Sequence, residues 1–166
     1  MARAVFAGSF DPPTYGHRNL IERASRLFDE VVVVVALNYR KEGLFTPEER
    51  LAFLRDISAP FGNVSVELCE GLLIDFARKI GASVMLRGLR NGADFSAELE
   101  LALWNKELAP EMETVFLPTE RPYLLLSSSA VRELAVFGHD VSAFVPPEVA
   151  AALASRLGSP ASRELL

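Results

Sequence analysis

The sequence predicts an α/β domain built on a doubly wound, parallel, five-stranded sheet. Three observations lead there. Apolar runs rich in β-branched residues recur without polar alternation, as in strands covered on both faces. Segments with apolar residues at helical spacing separate them. Cap residues, prolines and glycines fall where one kind of segment gives way to the other.

The elements follow in order. Ala4–Ala7 is the first apolar run and Val31–Leu37 the second. Between them Leu20, Ile21, Ala24, Leu27 and Phe28 share one helical face, so a helix is expected from about Gly16 to Phe28. Thr46-Pro47-Glu48-Glu49 combines a cap, a first-turn proline and a capping-box glutamate, which starts a helix reaching about Ile57. Asn63–Leu68 reads as a strand, and Leu72–Ile80 as a helix stopped by Gly81. Ser83–Leu86 reads as a short buried strand, followed by a long helix over about Asp94–Leu108 that Pro110 ends. Glu113–Leu117 is the fifth strand. A helix capped within Ser127–Ser129 runs to near Gly138, and a last one follows Pro146-Pro147 to about Leu157. One domain is expected over residues 1–158, with 159–166 as a flexible tail.

Composition narrows the function classes. Half of the 166 residues are hydrophobic, 23% are charged, and the net charge is −5. That supplies a core and argues against a surface that coats nucleic acid, while leaving room for a local basic pocket. The single cysteine, Cys69, cannot form an internal disulfide; it reads as a small buried hydrophobe in a reducing compartment. Two histidines and one cysteine, far apart, do not suggest structural zinc. The N-terminus lacks a signal-peptide pattern and no apolar run can span a bilayer, so a cytoplasmic protein without membrane contact is expected.

In a doubly wound sheet, ligands sit beyond the carboxyl ends of the strands. The polar residues after each predicted strand are therefore the candidates. After the first comes Gly8-Ser9-Phe10-Asp11-Pro12-Pro13-Thr14-Tyr15-Gly16-His17. Gly8 and Gly16 allow close backbone approach to a ligand, and the free N–H groups of the following helix suit phosphate. His17 in that first turn can donate to a phosphate oxygen; the plainer reading is a strand–helix turn with a capping threonine and a surface histidine. Neither a Walker A loop nor a dinucleotide G-x-G-x-x-G is present. After the second strand, Arg40 and Lys41 suit an anionic substrate or are solvated loop charges. After the fourth, Arg87-Gly88-Leu89-Arg90 offers two guanidinium forks, or an exposed basic loop. After the fifth, Tyr123-Leu124-Leu125-Leu126 leads into Ser127, Ser128 and Ser129, a helix cap or a second phosphate cradle. His139 reads as a turn residue and Trp104 as packing. The sheet topology would gather four such strand ends.

This combination resembles a known family. Thr14-Tyr15-Gly16-His17 is similar to the T-x-G-H signature of the nucleotidyltransferase superfamily, whose fold is Rossmann-like. Together with Lys41, Phe45–Arg50, Arg87–Arg90 and the serines before Val131-Arg132-Glu133, the chain resembles bacterial phosphopantetheine adenylyltransferases over about residues 3–157. The resemblance implies transfer of AMP from ATP to 4′-phosphopantetheine, giving dephospho-coenzyme A and pyrophosphate, with Mg2+ and within a homohexamer. It implies contacts to both substrates from Ser9 and Phe10, and a transition-state stabiliser in His17. It implies Lys41, Leu73 and Arg87 on the pantetheine side. It implies Gly88, Leu89, Arg90, Glu98 and Tyr123 to Ser129 on the ATP side. It also implies coenzyme A as an inhibitor. The sequence departs from the family where an aromatic commonly replaces Ala97, Asn-Pro replaces Asn38-Tyr39, and threonine replaces Ser129. Two alternatives stand beside this reading: another small-molecule nucleotidyltransferase (a cytidylyltransferase or a nicotinamide-mononucleotide adenylyltransferase), and a non-catalytic ATP-binding regulatory domain.

The long fourth helix carries a further expectation. At ~100° per residue, Phe95, Leu99, Ala102 and Leu103 form one apolar stripe and Ala97, Leu101, Trp104 and Leu108 another. Glu98 and Asn105 separate them on one flank, Glu100 and Glu107 on the other. One stripe is expected to cover the sheet. The second then faces the C-terminal helix or a neighbouring subunit.

Overall fold

The computed structural model describes residues 2–37 and 42–158. Its elements are β1 (Arg3–Gly8), α1 (Tyr15–Leu27), β2 (Glu30–Ala36), α2 (Pro47–Ser58), β3 (Val64–Cys69), α3 (Leu73–Lys79), β4 (Val84–Leu89), α4 (Gly92–Leu108), β5 (Glu113–Pro118), α5 (Ser128–Val136) and α6 (Pro147–Leu157). The five strands form one sheet in the order β3-β2-β1-β4-β5, and every pairing is parallel. The predicted doubly wound parallel sheet is the one observed. The chain winds outward from β1 to β3, then returns past β1 to β4 and β5, so the order reverses between β1 and β4. That reversal opens a crevice at the carboxyl ends of these two strands.

The unalternating strands are explained by cover on both faces. On one, Phe6, Val33 and Leu86 pack against Leu20, Ile21 and Ala24 of α1 and Leu54 and Ile57 of α2. On the other, Val5, Val34 and Met85 pack against Ile74 and Ala77 of α3. A third cluster lies apart from the sheet, where Phe45 meets Val131 and Ala135 of α5 and Val149 and Leu153 of α6. The helix signals hold as read. Thr46 accepts from the Glu49 N–H at 3.2 Å, and Glu49 accepts from the Thr46 N–H at 2.7 Å, closing the expected capping box.

Two elements differ from expectation. The fourth strand does not stop at Leu86 but continues through Arg87-Gly88-Leu89, paired with Phe116, Leu117 and Pro118 of β5. Its pairing with β1 ends at Phe6↔Leu86, so the last three residues of β4 are held from one side only. The R-G-L-R run is therefore mostly strand, not loop. A charged strand end is tolerated because one side of it opens on the crevice.

The α4 helix departs further. None of its residues is buried, and the half-buried ones are Asp94, Glu98, Ala102 and Asn105. The polar flank, not an apolar stripe, turns toward the sheet. Arg87 and Arg90 draw it there, because Glu98 and Asp94 pair with them. Both apolar stripes are left largely in the open: Leu103 and Trp104 are each 62% exposed. Trp104, expected to pack, is thus left uncovered among the described residues. Phe95 keeps one edge-to-face contact with Phe116, at 5.5 Å between ring centroids. The α6 helix does not cover the second stripe, since its buried face belongs to the cluster with α5.

Candidate active site

The crevice between β1 and β4 encloses about 300 Å3 and is lined from the ends of β1, β4 and β5 and the starts of α1, α4 and α5, including Ser9, His17, Arg87, Arg90 and Ser127–Ser129. Its first wall is the turn from Gly8 to His17. Thr14 is the N-cap of α1: its hydroxyl accepts from the His17 N–H at 3.4 Å, while its own backbone N–H donates to Nδ1 of His17 at 3.0 Å. The capping threonine and the histidine that lines the crevice are thus one device. Because Nδ1 accepts, the proton of the neutral ring sits on Nε2. Burial, and secondarily the charge of Arg90, lower the His17 pKa from 6.5 to about 4. The ring is neutral at physiological pH and offers Nε2–H as a donor.

The backbone before it is strained. Phe10 has φ 46°, a left-handed conformation unusual for an aromatic residue. Its side chain is only 2% exposed and stacks edge-on between Phe6 and His17. It supports the histidine ring from below. A Cβ on Gly8 would press on the same ring, 3.2 Å from the tip of Phe10. The turn is clamped by three charged residues. Buried Arg50 donates to the Phe45 carbonyl at 2.9 Å and the Ser9 carbonyl at 3.1 Å. Buried Asp11 accepts from the N–H groups of Leu44 and Phe45 at 2.8 and 2.9 Å. Arg132 donates to the Asp11 carbonyl and carboxylate at 2.9 and 3.0 Å. These bonds tie the turn to α2 and α5.

The opposite wall comes from β4 and α4. Glu98 holds Arg87 through both Nε and Nη2, the latter at 2.7 Å, and Nη1 of Arg87 donates to the Ala7 carbonyl at 3.2 Å. Asp94 holds Arg90 through Nε at 2.9 Å and Nη2 at 3.2 Å. Both cations therefore stand in the crevice already gripped by a carboxylate. Gly88 separates them, and a Cβ on it would overlap Cδ1 of Leu20 in α1. The glycine brings the β4 backbone close to α1 and narrows the crevice.

The floor at the far end is the start of α5. Ser127 is its N-cap, accepting from the Ala130 N–H at 3.0 Å. Ser128 donates to the Pro12 carbonyl at 2.8 Å, which joins this helix start to the first turn. The N-termini of α1 and α5 thus meet the same space, each with first-turn N–H groups that the helix itself cannot satisfy.

Of the candidate residues, Ser9, Phe10, His17, Arg87, Gly88, Arg90, Glu98, Tyr123, Leu126, Ser127, Ser128 and Ser129 line this crevice. Leu89, Leu124 and Leu125 do not line it; Leu125 is 90% exposed. Leu73 packs at the edge of the α3 core instead. Lys41, with Asn38 to Arg40, lies outside the described residues, as does the tail 159–166. Several contributors escaped the sequence reading. Asp11, Arg50 and Arg132 act through long-range bonds that no local pattern announces. Asp94 was within reach, because Arg90 and Asp94 stand four residues apart at a helix start. Thr119 lines the crevice from the end of β5. Among the described residues no three metal-binding side chains cluster. No helix among them is long and apolar enough to cross a membrane.

Comparisons with known proteins bear on the family and the fold. Residues 5–134 match the cytidylyltransferase-like family. The chain is 49% identical to a phosphopantetheine adenylyltransferase from Heliobacterium modesticaldum, covering 95% of this chain and 94% of that protein. It is 50% identical to one from Lacticaseibacillus paracasei, covering 93% of each. Among solved structures, the Plasmodium falciparum nicotinic acid mononucleotide adenylyltransferase complexed with NaAD superposes with a TM-score of 0.65 at 17% identity, covering 93% of this chain and 95% of that one. A crystal structure from Vibrio parahaemolyticus gives a TM-score of 0.69 at 20% identity, covering 92% and 99%. At such identities the two structures speak for the fold alone.

Proposed function

The chain belongs to the phosphopantetheine adenylyltransferase family, and on that footing we infer that it transfers AMP from ATP to 4′-phosphopantetheine, forming dephospho-coenzyme A and pyrophosphate. The observation that carries this reading is the convergence of a neutral, tautomer-locked His17 with Arg87, Arg90 and two helix N-termini on one crevice. Such a crevice suits two phosphorylated substrates that must meet. The phosphate of phosphopantetheine attacks the α-phosphorus of ATP in line, the new P–O bond forms, and pyrophosphate leaves with the electron pair of the broken bond. This nucleophile is largely ionised at neutral pH. No protein base is needed, and catalysis rests on positioning and charge stabilisation. Nε2–H of His17 donates to an oxygen that gains charge at the α-phosphate. Arg90 and the α5 N-terminus with Ser127–Ser129 receive the departing phosphates, and Arg87 orients the acceptor phosphate together with Lys41. Ser9 and the Phe10 backbone border both substrates, and Gly88, Glu98, Tyr123 and Leu126 border the nucleotide.

Asp94 and Glu98, the two carboxylates of the crevice, are already paired with arginine, so a magnesium ion would be held chiefly by ATP rather than by a protein cage. It supplies charge neutralisation. Coenzyme A, a close relative of the product, is read as an inhibitor at the same crevice. The exposed stripes of α4 support a subunit contact, and the family resemblance is what suggests a homohexamer. We read the enzyme as cytoplasmic, in keeping with its buried, unpaired Cys69.

The test is a coupled pyrophosphate assay. Release is expected with ATP, magnesium and 4′-phosphopantetheine, and not when CTP replaces ATP or nicotinamide mononucleotide replaces the acceptor. Nucleotide binding without pyrophosphate release under every pairing would instead identify a regulatory domain. Sedimentation checks the assembly: a monomer at micromolar concentration overturns the subunit contact.

A further inference from the structure

Arg87 and Arg90 are gripped differently. All three nitrogens of the Arg87 guanidinium have partners, two in Glu98 and one in the Ala7 carbonyl. Arg90 is held only by Asp94, through Nε and Nη2, and its Nη1 is open among the described residues. The same carboxylate also accepts from the Arg90 backbone N–H at 3.2 Å, so it restrains both ends of that residue. Asp94 is fixed in turn, since its own N–H donates to the Asn91 side chain at 2.9 Å. The pair stands in the crevice, and the Arg90 charge is felt at His17.

We propose that Asp94 is a positioning residue: its carboxylate holds Arg90 by one edge of the guanidinium and presents the other edge to the ATP phosphates beside His17. A guanidinium is a planar fork, so occupying the Nε–Nη2 edge leaves the Nη1–Nη2 edge for a second oxygen pair. Arginine carries a large rotamer entropy, and holding it in advance removes that cost from the binding step. The inference rests on the adenylyl-transfer reading above for the identity of the phosphates.

Two explanations of an aspartate in an anion site make opposite predictions. A bystander carboxylate repels ATP, so neutralising it strengthens binding. A positioning carboxylate helps ATP despite its charge, so neutralising it weakens binding. Asp94→Asn is isosteric and keeps the N–H that Asn91 caps, so thermal melting is expected at the wild-type temperature. ATP affinity by calorimetry is expected to weaken about threefold, and kcat to fall roughly tenfold, within the range shown by coupled neighbours. The decisive comparison adds Arg90→Ala and the double variant. If Asp94 acts through Arg90, D94N changes kcat and ATP affinity less than about twofold in the R90A background. Tighter ATP binding by D94N, unchanged turnover, or full additivity in the double variant overturns the proposal. Binding and turnover are read separately: absence of pyrophosphate release from the wild type sinks the adenylyl-transfer reading, while the calorimetric cycle still decides the role of Asp94.

Discussion

The two walls of the crevice carry similar charge chemistry but are made in different ways. In the first wall, from Gly8 to His17, the histidine is set by residues within a few positions of it, while the turn around it is clamped from α2 and α5. Thr14 caps the helix, orients His17 and selects its tautomer in a span of four residues. The second wall, from Arg87 to Glu98, is organised across elements. A strand supplies Arg87, a helix supplies Glu98 eleven positions later, and neither has a local partner that would hold it there. The difference teaches that one crevice can join a wall whose key side chain is set by local capping to a wall assembled by ion pairs between elements. In the second, the carboxylates of α4 do double duty. They hold the arginines, and in doing so they turn the polar flank of the helix inward and leave its apolar flanks outside.

The strongest way to break this contrast is at His17. Removing one well-placed transition-state donor costs roughly 3–4 kcal/mol, or about 10²–10³ in rate. His17→Ala is therefore expected to lower kcat by that factor while ATP affinity measured by calorimetry changes little. Near wild-type kcat in that variant would remove the first wall from the chemistry. The second wall is expected to respond differently. Arg87→Ala removes charged hydrogen bonds worth about 1.5–3 kcal/mol, so 4′-phosphopantetheine should bind roughly 10- to 100-fold more weakly, with a smaller change in kcat. Unchanged substrate affinity would refute the acceptor role of Arg87.

The smallest effect is the most specific to the first wall. The His17 pKa, lowered to about 4 by burial and then by Arg90, stays below the unfolded value of 6.5. Between these values the unfolded state binds a proton that the folded state does not. Stability from this source is thus complete above about pH 6.5 and is lost as pH falls toward 4. His17→Gln abolishes that term, so the variant should lose less melting temperature than the wild type between pH 6.5 and 4.5. Across pH 6–9 the ratio of wild-type to variant kcat should be constant, because the donor never titrates there. A ratio that rises or falls around pH 7 would mark His17 as an acid or base and break the neutral-donor account.

The legibility of the two walls in the sequence follows the same division. The five strands, the order of the helices and the caps at Thr14, Thr46 and Ser127 were readable, because hydrophobic periodicity and cap chemistry act over a few residues. The crevice at the strand ends was readable too, since a doubly wound sheet gathers its carboxyl ends by topology. The clamp of Asp11, Arg50 and Arg132 was not, although each lies within one of the motifs; their bonds join segments 33 to 121 residues apart. Nor was the true extent of β4, which depends on a neighbouring strand to pair with Arg87-Gly88-Leu89.

The α4 helix marks the boundary most clearly. Its sequence determined that a helix forms and that two apolar stripes flank a polar one. Which stripe faces the sheet was decided only by the fold, because the two arginines that attract Asp94 and Glu98 come from the end of a strand. Local sequence sets which groups a helix displays on each side. Tertiary structure sets what each side meets, and an ion pair in a half-buried crevice can outweigh a hydrophobic stripe that nothing among the described residues covers.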